Sequence, residues 1–495
     1  MDGPVATTST GLLGGRRCTV GGGDVLGFGG VPYAAAPVGP ARFASPQPPA
    51  PWSDIRDATR PGAAPPQPAG DELLPGLAPE RTSEDCLTLE IWTPALDGER
   101  PVLVWIPGGG FQTGGAGLAT YDGSRLAAEH DLVVVGVNYR LGALGFAALD
   151  GAPTNQGLRD LATALEWIST EIAAFGGNAS RVTLMGESAG AGAIAHLLTA
   201  PAVRGLVHGA VMQSGAPAAT LDHDRAATVA EAFCAAAGTD DLEHLRVLPI
   251  DAIVAAQDEA ARELLVPVGK MPFHPWIDDD VVPTTPLDAA RVGSLAPVPL
   301  VVGTNAHEMA LFADQVPELP AEVATRLLRP KLDAVFGVAS DPSAPERGLD
   351  ACGDLLRAIA DVDLHLPALV LADAHAGADH RVHRYRFDWD GTGTGAAHAH
   401  DLPFTFGTLD VSTWRHAVGA PADGPADELS ARMRTAWASF ARSGVPSCDP
   451  VGEWPDHDPE HWETVVLDAE LRIVAELDRP RLDTWRTPSS RHESR

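Results

Sequence analysis

The chain has 495 residues, 45% of them apolar and 20% charged, enough to bury a large core. Its formal charge of −31 repels phosphates, which excludes nucleic acid or an anionic membrane surface as a partner and disfavours strongly anionic substrates. Five scattered cysteines (Cys18, Cys86, Cys234, Cys352, Cys448) offer neither a disulfide framework nor a CxxC metal site and suit a reducing compartment.

The opening MDGPVATTSTGLLGG lacks a charged segment followed by an apolar one, and no apolar run approaches the roughly 20 residues of a membrane span. A cytoplasmic protein is expected. Residues 18–31 alternate with glycine punctuation, and Gly21-Gly22-Gly23, with no helix behind it, reads as a turn. Ala35 to Pro51 is a proline-rich arm, and 61–81 is a long Pro/Gly/Ala loop of the kind that carries function. CLTLEIW (86–92) and VLVWI (102–106) read as neighbouring strands, and LVVVGVN (132–138) as a strand buried on both faces. Gln156 to Ala174 spaces Leu158, Leu161, Leu165, Ile168 and Ile172 three and four apart, as one face of a helix does.

The next stretch, FGGNASRVTLMGESAG (175–190), carries the chemistry. A β-branched strand runs into Gly186-Glu187-Ser188-Ala189-Gly190, and the small apolar run to Thr199 suits a helix packed against a sheet. Strand, tight turn with a serine at its tip, and helix form a nucleophile elbow. The turn is strained and the backbones approach closely, so glycines flank the serine at both sides.

VHGAVMQ (207–213) and VPLVVG (298–303) are further strands, and 226–237 is the clearest helix between them. Residues 318–375 are helical with interruptions, VHRYRFDW (382–389) resumes the sheet, and Asp427 to Ser443 is an amphipathic helix. TVVLD (464–468) and LRIVAEL (471–477) pair as a hairpin. The alternation predicts an α/β fold, a large mostly parallel sheet flanked by helices, in a single domain over 1–487. Insertions at about 220–295 and 310–375 cover the site, and 488–495 is a disordered tail.

A serine hydroxyl needs a histidine to take its proton and a carboxylate to orient the imidazole. Glu308 follows the 298–303 strand, at the carboxyl end where sites on parallel sheets lie. The segment GTGTGAAHAHDLPF offers His398 and His400. The pattern His-Ala-His-Asp lacks the extra residue and the further histidine of a binuclear metal site, so no metal and no organic cofactor is expected. His307 and His365 read as surface or structural residues. Gly108-Gly109-Gly110-Phe111 follows the VLVWI strand, where an oxyanion loop belongs, and the Ala189 N–H adds a donor at the helix start. No Gly-Lys-Ser/Thr follows the triple glycine, which argues against a phosphate loop.

These motifs resemble the type-B carboxylesterases, the family of the cholinesterases and bacterial p-nitrobenzyl esterase-like enzymes, within the α/β-hydrolase fold. Residues 175–190 meet the family's active-site signature in full, and SEDCLTLEIWTP (83–94) meets its second signature apart from Glu90. GVPYAAAPVGPARF (30–43), NYRLGALGF (138–146), MQSGAP (212–217), GTNAHE (303–308), HAHDLPFTFG (398–407) and FARSGVP (440–446) extend the likeness along the chain. The resemblance implies Ser188 as nucleophile, Glu308 as acid and His398 as base. His398 to Asp401 satisfies the family's His-x-x-Glu/Asp motif, which His400 does not. Gly109, Gly110 and Ala189 fall on the oxyanion donors, Ser214 on a serine behind the triad, and Glu187 on a buried acid beside the nucleophile.

Departures are Pro107 before the triple glycine, Asp279 in place of a glycine, Leu161 in place of a glutamine, and no tryptophan in the 61–81 loop. A choline ester preference is therefore not implied. The expected activity is hydrolysis of uncharged carboxylic esters, of short to medium acyl or aryl type, through an acyl-enzyme. Amidase, thioesterase and lactone-opening chemistry use the same triad, and the resembling family also holds non-catalytic binding modules. A monomer and a homodimer are equally compatible with the sequence. Met271, Phe273 and Trp276 are candidate pocket walls.

Overall fold

A computed structural model describes residues 3–21, 23–68, 76–215, 217–265, 268–269, 271–315, 319–337, 343–411 and 413–486. The predicted tail at 488–495 and part of the 61–81 loop lie outside them. Eleven strands form the central sheet: β1 (Arg16–Val20), β2 (Gly23–Pro32), β3 (Thr88–Thr93), β4 (Arg100–Ile106), β5 (Val133–Val137), β6 (Gly177–Glu187), β7 (Gly209–Gln213), β8 (Leu300–Asn305), β9 (Val382–Phe387), β10 (Thr464–Leu467) and β11 (Arg472–Val474). Their spatial order is β11-β10-β9-β8-β7-β6-β4-β5-β3-β2-β1. The strands from β5 to β10 are parallel, and antiparallel strands close both edges. The fold is α/β.

One sequence expectation needs correcting. The strands read at 86–92 and 102–106 are not neighbours, because β5 lies between them, antiparallel to β3 and parallel to β4. Both edges of β5 are hydrogen-bonded and its residues are buried throughout. The most apolar strand thus takes the interior position, and chain adjacency yields to burial.

The continuous apolar runs follow from a sheet covered on both faces. Along β4, Val102, Val104 and Ile106 enter one core while Leu103 and Trp105 enter the other. The first face carries helix α1 (Gln156–Glu171) and helix α2 (Ala189–Leu197), and the second carries α4 (Pro425–Ser443). Between β7 and β8 the chain is mainly helical, including α3 (Ile250–Glu263). Helices Ala321–Phe336, Ala344–Cys352, Leu355–Ala360 and Leu366–Gly377 separate β8 from β9. No helix among the described residues is long and apolar enough to cross a membrane. All five cysteines are free thiols.

The sequence departures also have physical readings. Asp279 adopts φ +58°, the left-handed region where a glycine is unstrained. The Glu90 carboxyl accepts N–H bonds from Gly30 (3.1 Å) and Gly62 (2.7 Å), tying the β2 bulge to the start of the 61–81 loop. Burial pushes its pKa up to about 7.

Asn138, Tyr139 and Arg140, just past β5, brace the loops at the sheet's carboxyl end. Arg140 forms a bidentate pair with Asp160 of α1 (2.6 and 2.8 Å) and donates to the Ala44 carbonyl (2.7 Å). Both charged groups are buried. Removing one partner of such a pair strands the other charge, so Asp160→Asn should cost about 3–5 kcal/mol. The check is a downward shift of the urea unfolding midpoint.

Candidate active site

The elbow forms where sequence places it. Ser188 has φ +55° and ψ −123°, a conformation unfavourable for a residue with a β-carbon. Its N–H donates to the Gln213 carbonyl (2.9 Å), and its carbonyl accepts from Gly192 N–H (2.9 Å), so β7 and α2 together hold the strain. A β-carbon on Gly190 would lie 2.0 Å from the Ile106 carbonyl oxygen, and one on Gly186 would lie 2.7 Å from the Gly190 carbonyl carbon. The serine is partly exposed above the sheet, while its neighbours on both sides are buried.

The glycine loop after β4 lies against this turn. A β-carbon on Gly108 would stand 3.1 Å from Ser188 Cβ and 2.7 Å from the Glu187 carbonyl oxygen. Gly109 and Gly110 have φ +116° and +62°. Among the described residues no protein acceptor takes the N–H of Gly109, Gly110 or Ala189. Pro107 is held by Tyr139, whose hydroxyl donates to its carbonyl (3.1 Å). Met271 packs its sulfur where a Gly110 β-carbon would be, and is itself 42% exposed at the rim. Phe273 and Trp276 are buried core residues instead.

The loops after β8 and β9 are stitched together by Glu308 carbonyl to His398 N–H (3.1 Å), Ala396 carbonyl to His307 N–H (2.9 Å) and Asn305 Nδ2 to Ala397 carbonyl (2.7 Å). This brings Glu308 Oε2 to His398 Nδ1 at 2.8 Å. Glu308 Oε1 accepts from Ser214 Oγ (2.7 Å) and Asn305 N–H (2.7 Å). The carboxylate, read in sequence as a loop residue, is fully buried. His398 Nε2 faces the elbow, 3.2 Å from Glu187 Oε1. Among the described residues no hydrogen bond joins Ser188 Oγ to the imidazole.

His400 turns elsewhere: Ala399, at φ +64°, separates the two rings, and His400 Nδ1 accepts from Ala397 N–H (3.3 Å). Burial holds its pKa down at about 4. His365 is buried against Thr304 Oγ1 (3.0 Å), and His307 is exposed.

Beneath the imidazole lies a layer that sequence reasoning missed. Asp401 Oδ2 accepts from Gln213 Nε2 (2.9 Å), Oδ1 faces Asn305 Nδ2 (3.3 Å), and Gln213 also donates to Thr405 Oγ1 (2.9 Å). Only the spacing His398 to Asp401 hinted at it. Burial, then the charge of Glu308, push Asp401 up to about 6. Burial also raises Glu187, with Asp401 and Glu308 adding to the effect. His398 is raised in spite of burial, through Glu187 and its bond to Glu308. His398, His400 and Asp401 thus bond three different sets of partners rather than converging on one point.

The carboxylesterase family model matches residues 2–485. Para-nitrobenzyl esterase of Bacillus subtilis (strain 168) is 34% identical over 453 residues, covering 90% of this chain and 91% of that protein. Phenmedipham hydrolase of Pseudarthrobacter oxydans is 34% identical over 497 residues, covering 96% and 98%. Among solved structures, a PNB esterase superposes with a TM-score of 0.89 at 33% identity, covering 98% of this chain and 99% of that one.

Because Glu187 and then Glu308 favour the charged imidazole against the cost of burial, the His398 ring should titrate above the ordinary 6.5. In Glu308→Gln the midpoint should move down. NMR titration of labelled histidine checks both.

Proposed function

The chain belongs to the carboxylesterase family, and from that premise we propose that Ser188, His398 and Glu308 carry its hydrolysis of carboxylic esters. His398 Nε2 takes the proton as Ser188 Oγ attacks the ester carbonyl, while Glu308 holds Nδ1–H and stabilises the imidazolium. Gly109, Gly110 and Ala189 donate to the oxygen that becomes negative. The alcohol leaves with the proton from His398, and water then attacks the acyl-enzyme by the same route. The reading requires Nε2 to engage Ser188 Oγ, a bond that catalytic sites commonly complete only with substrate in place.

What carries the reading is the convergence of a strained serine, three N–H groups without acceptors among the described residues, and a carboxylate-bound imidazole facing that serine's turn. We further read the chain as one catalytic domain working in a reducing compartment, consistent with its five free thiols. The substrate is an uncharged ester of short to medium acyl or aryl type. Buried carboxyls beside the imidazole and the −31 charge disfavour anionic ones. Met271 forms an apolar wall above Gly110.

Ser188→Ala should lower kcat by about 10⁶ and abolish labelling by an organophosphonate; an active variant refutes the assignment. A panel varying acyl chain and alcohol, with a para-nitrobenzyl ester, phenmedipham and matched amides, measures specificity. Met271→Ala should raise the relative kcat/KM of the bulkier esters, and an unchanged ranking removes Met271 from the wall.

A further inference from the structure

Gly110 N–H shares a rigid peptide plane with the Gly109 carbonyl, so whatever holds that carbonyl aims that donor. Three groups hold it: the N–H of Gln112 (3.1 Å), the N–H of Thr113 (3.0 Å) and Thr113 Oγ1 (3.1 Å). The loop therefore folds back on itself, and its direction depends on where the Thr113–Gly114 limb sits. A β-carbon on Gly109 would lie 2.2 Å from the Thr113 carbonyl oxygen, and one on Gly114 would lie 2.5 Å from that of Gly108. The two limbs approach backbone to backbone, and Thr113 Oγ1 adds a side-chain bond between them.

The second limb is gripped from outside by one side chain. Gln67 Oε1 accepts the Gly114 N–H (2.8 Å), and Gln67 Nε2 donates to the Gly114 carbonyl (2.8 Å). Both polar atoms of the amide are spent on one residue's backbone, as a neighbouring strand would do. Gln67 Nε2 also reaches the Pro65 carbonyl (2.9 Å), which fixes the amide to its own loop. Nearby, Asn138 Oδ1 accepts the Ala116 N–H (2.7 Å) and Asn138 Nδ2 donates to the Ala63 carbonyl (3.1 Å), so two amides bridge the same pair of loops.

We propose that Gln67 is a positioning residue for ester hydrolysis: by clamping Gly114 it fixes Thr113, and through Thr113 the orientation of the Gly109–Gly110 peptide toward the reacting oxygen. The proposal rests on Gly109 and Gly110 acting as oxyanion donors. It gives the half-buried 61–68 segment a part in transition-state binding rather than in substrate capture alone.

The test uses the full chain with Gln67→Met, which keeps the shape and loses its three hydrogen bonds, and Thr113→Val, which removes one bond to the Gly109 carbonyl. Rates on a p-nitrophenyl ester are normalised to sites titrated with an organophosphonate. Gln67→Met should lower kcat by about 10- to 100-fold, less than the 10²–10³ lost with a whole donor. KM should stay within about two-fold, and the affinity for a trifluoromethyl ketone should fall in step with kcat. Thr113→Val should show the same split, more weakly, and carries the test if Gln67→Met does not fold. A parental kcat per titrated site in both variants overturns the proposal. So does a loss shared equally by a non-reacting amide analogue. Ser188→Ala run alongside separates this failure from that of the wider reading, since only an active Ser188→Ala would discard the serine mechanism.

Discussion

The closest constraint in this molecule is the distance between two backbones at the carboxyl end of the sheet. β4 ends with the Ile106 carbonyl 2.0 Å from where a Gly190 β-carbon would be, and Gly108 would crowd Ser188 in the same way. This contact lets a helix start directly behind a strained serine while the next loop brings its N–H groups alongside. A methyl group at 190 would push α2 off β4 and carry Ser188 away from Gly109 and Gly110. The glycines of the elbow are thus required by two separate contacts, one within the turn and one across strands.

The polar groups around the imidazole are arranged against a different cost. Glu187, Glu308 and Asp401 are all buried, and three bare carboxylates within one cluster would repel strongly. The structure meets this unequally. Glu308 receives three hydrogen bonds, from Ser214, Asn305 and His398, and is the one best suited to carry charge. Asp401 is bonded through Gln213 and Asn305, while among the described residues the ion-pair partner of Glu187 is the imidazole at 3.2 Å, and burial raises its pKa.

Much of this was legible in the chain, and what was not has physical causes. The elbow could be read because its glycines are required by local geometry, and β4 and β5 because sheet burial leaves continuous apolar runs. The order of β3, β5 and β4 could not, since strand adjacency is decided by which strand is buried on both edges. Glu308 reads in sequence only as a loop residue past a strand; its burial comes from stitching to a segment ninety residues away. Gln213 and Asn305 lay within family-like motifs without an evident role, and Gln67 gave no signal, because amides act here through partners that only the folded chain brings near. Of the three residues read as walls, Met271 alone stands at the rim, and nothing in hydrophobicity separates it from the buried Phe273.

The position of Glu187 immediately before Ser188 ties these parts together. Glu187, one residue before Ser188, faces one nitrogen of the imidazole at 3.2 Å, while the other nitrogen is fixed on Glu308. With the carboxyl of Glu187 protonated, Nε2 can accept its hydrogen and remain neutral, which is the form a base must have. With it ionised, the imidazole is favoured in its charged form. Burial raises Glu187 while the charge of Glu187 raises His398, so the two groups titrate as a pair. The three hydrogen bonds to Glu308 suit it to hold the lasting negative charge on the far side of the ring. Unequal solvation of three carboxyls thus gives the two nitrogens of one histidine different tasks.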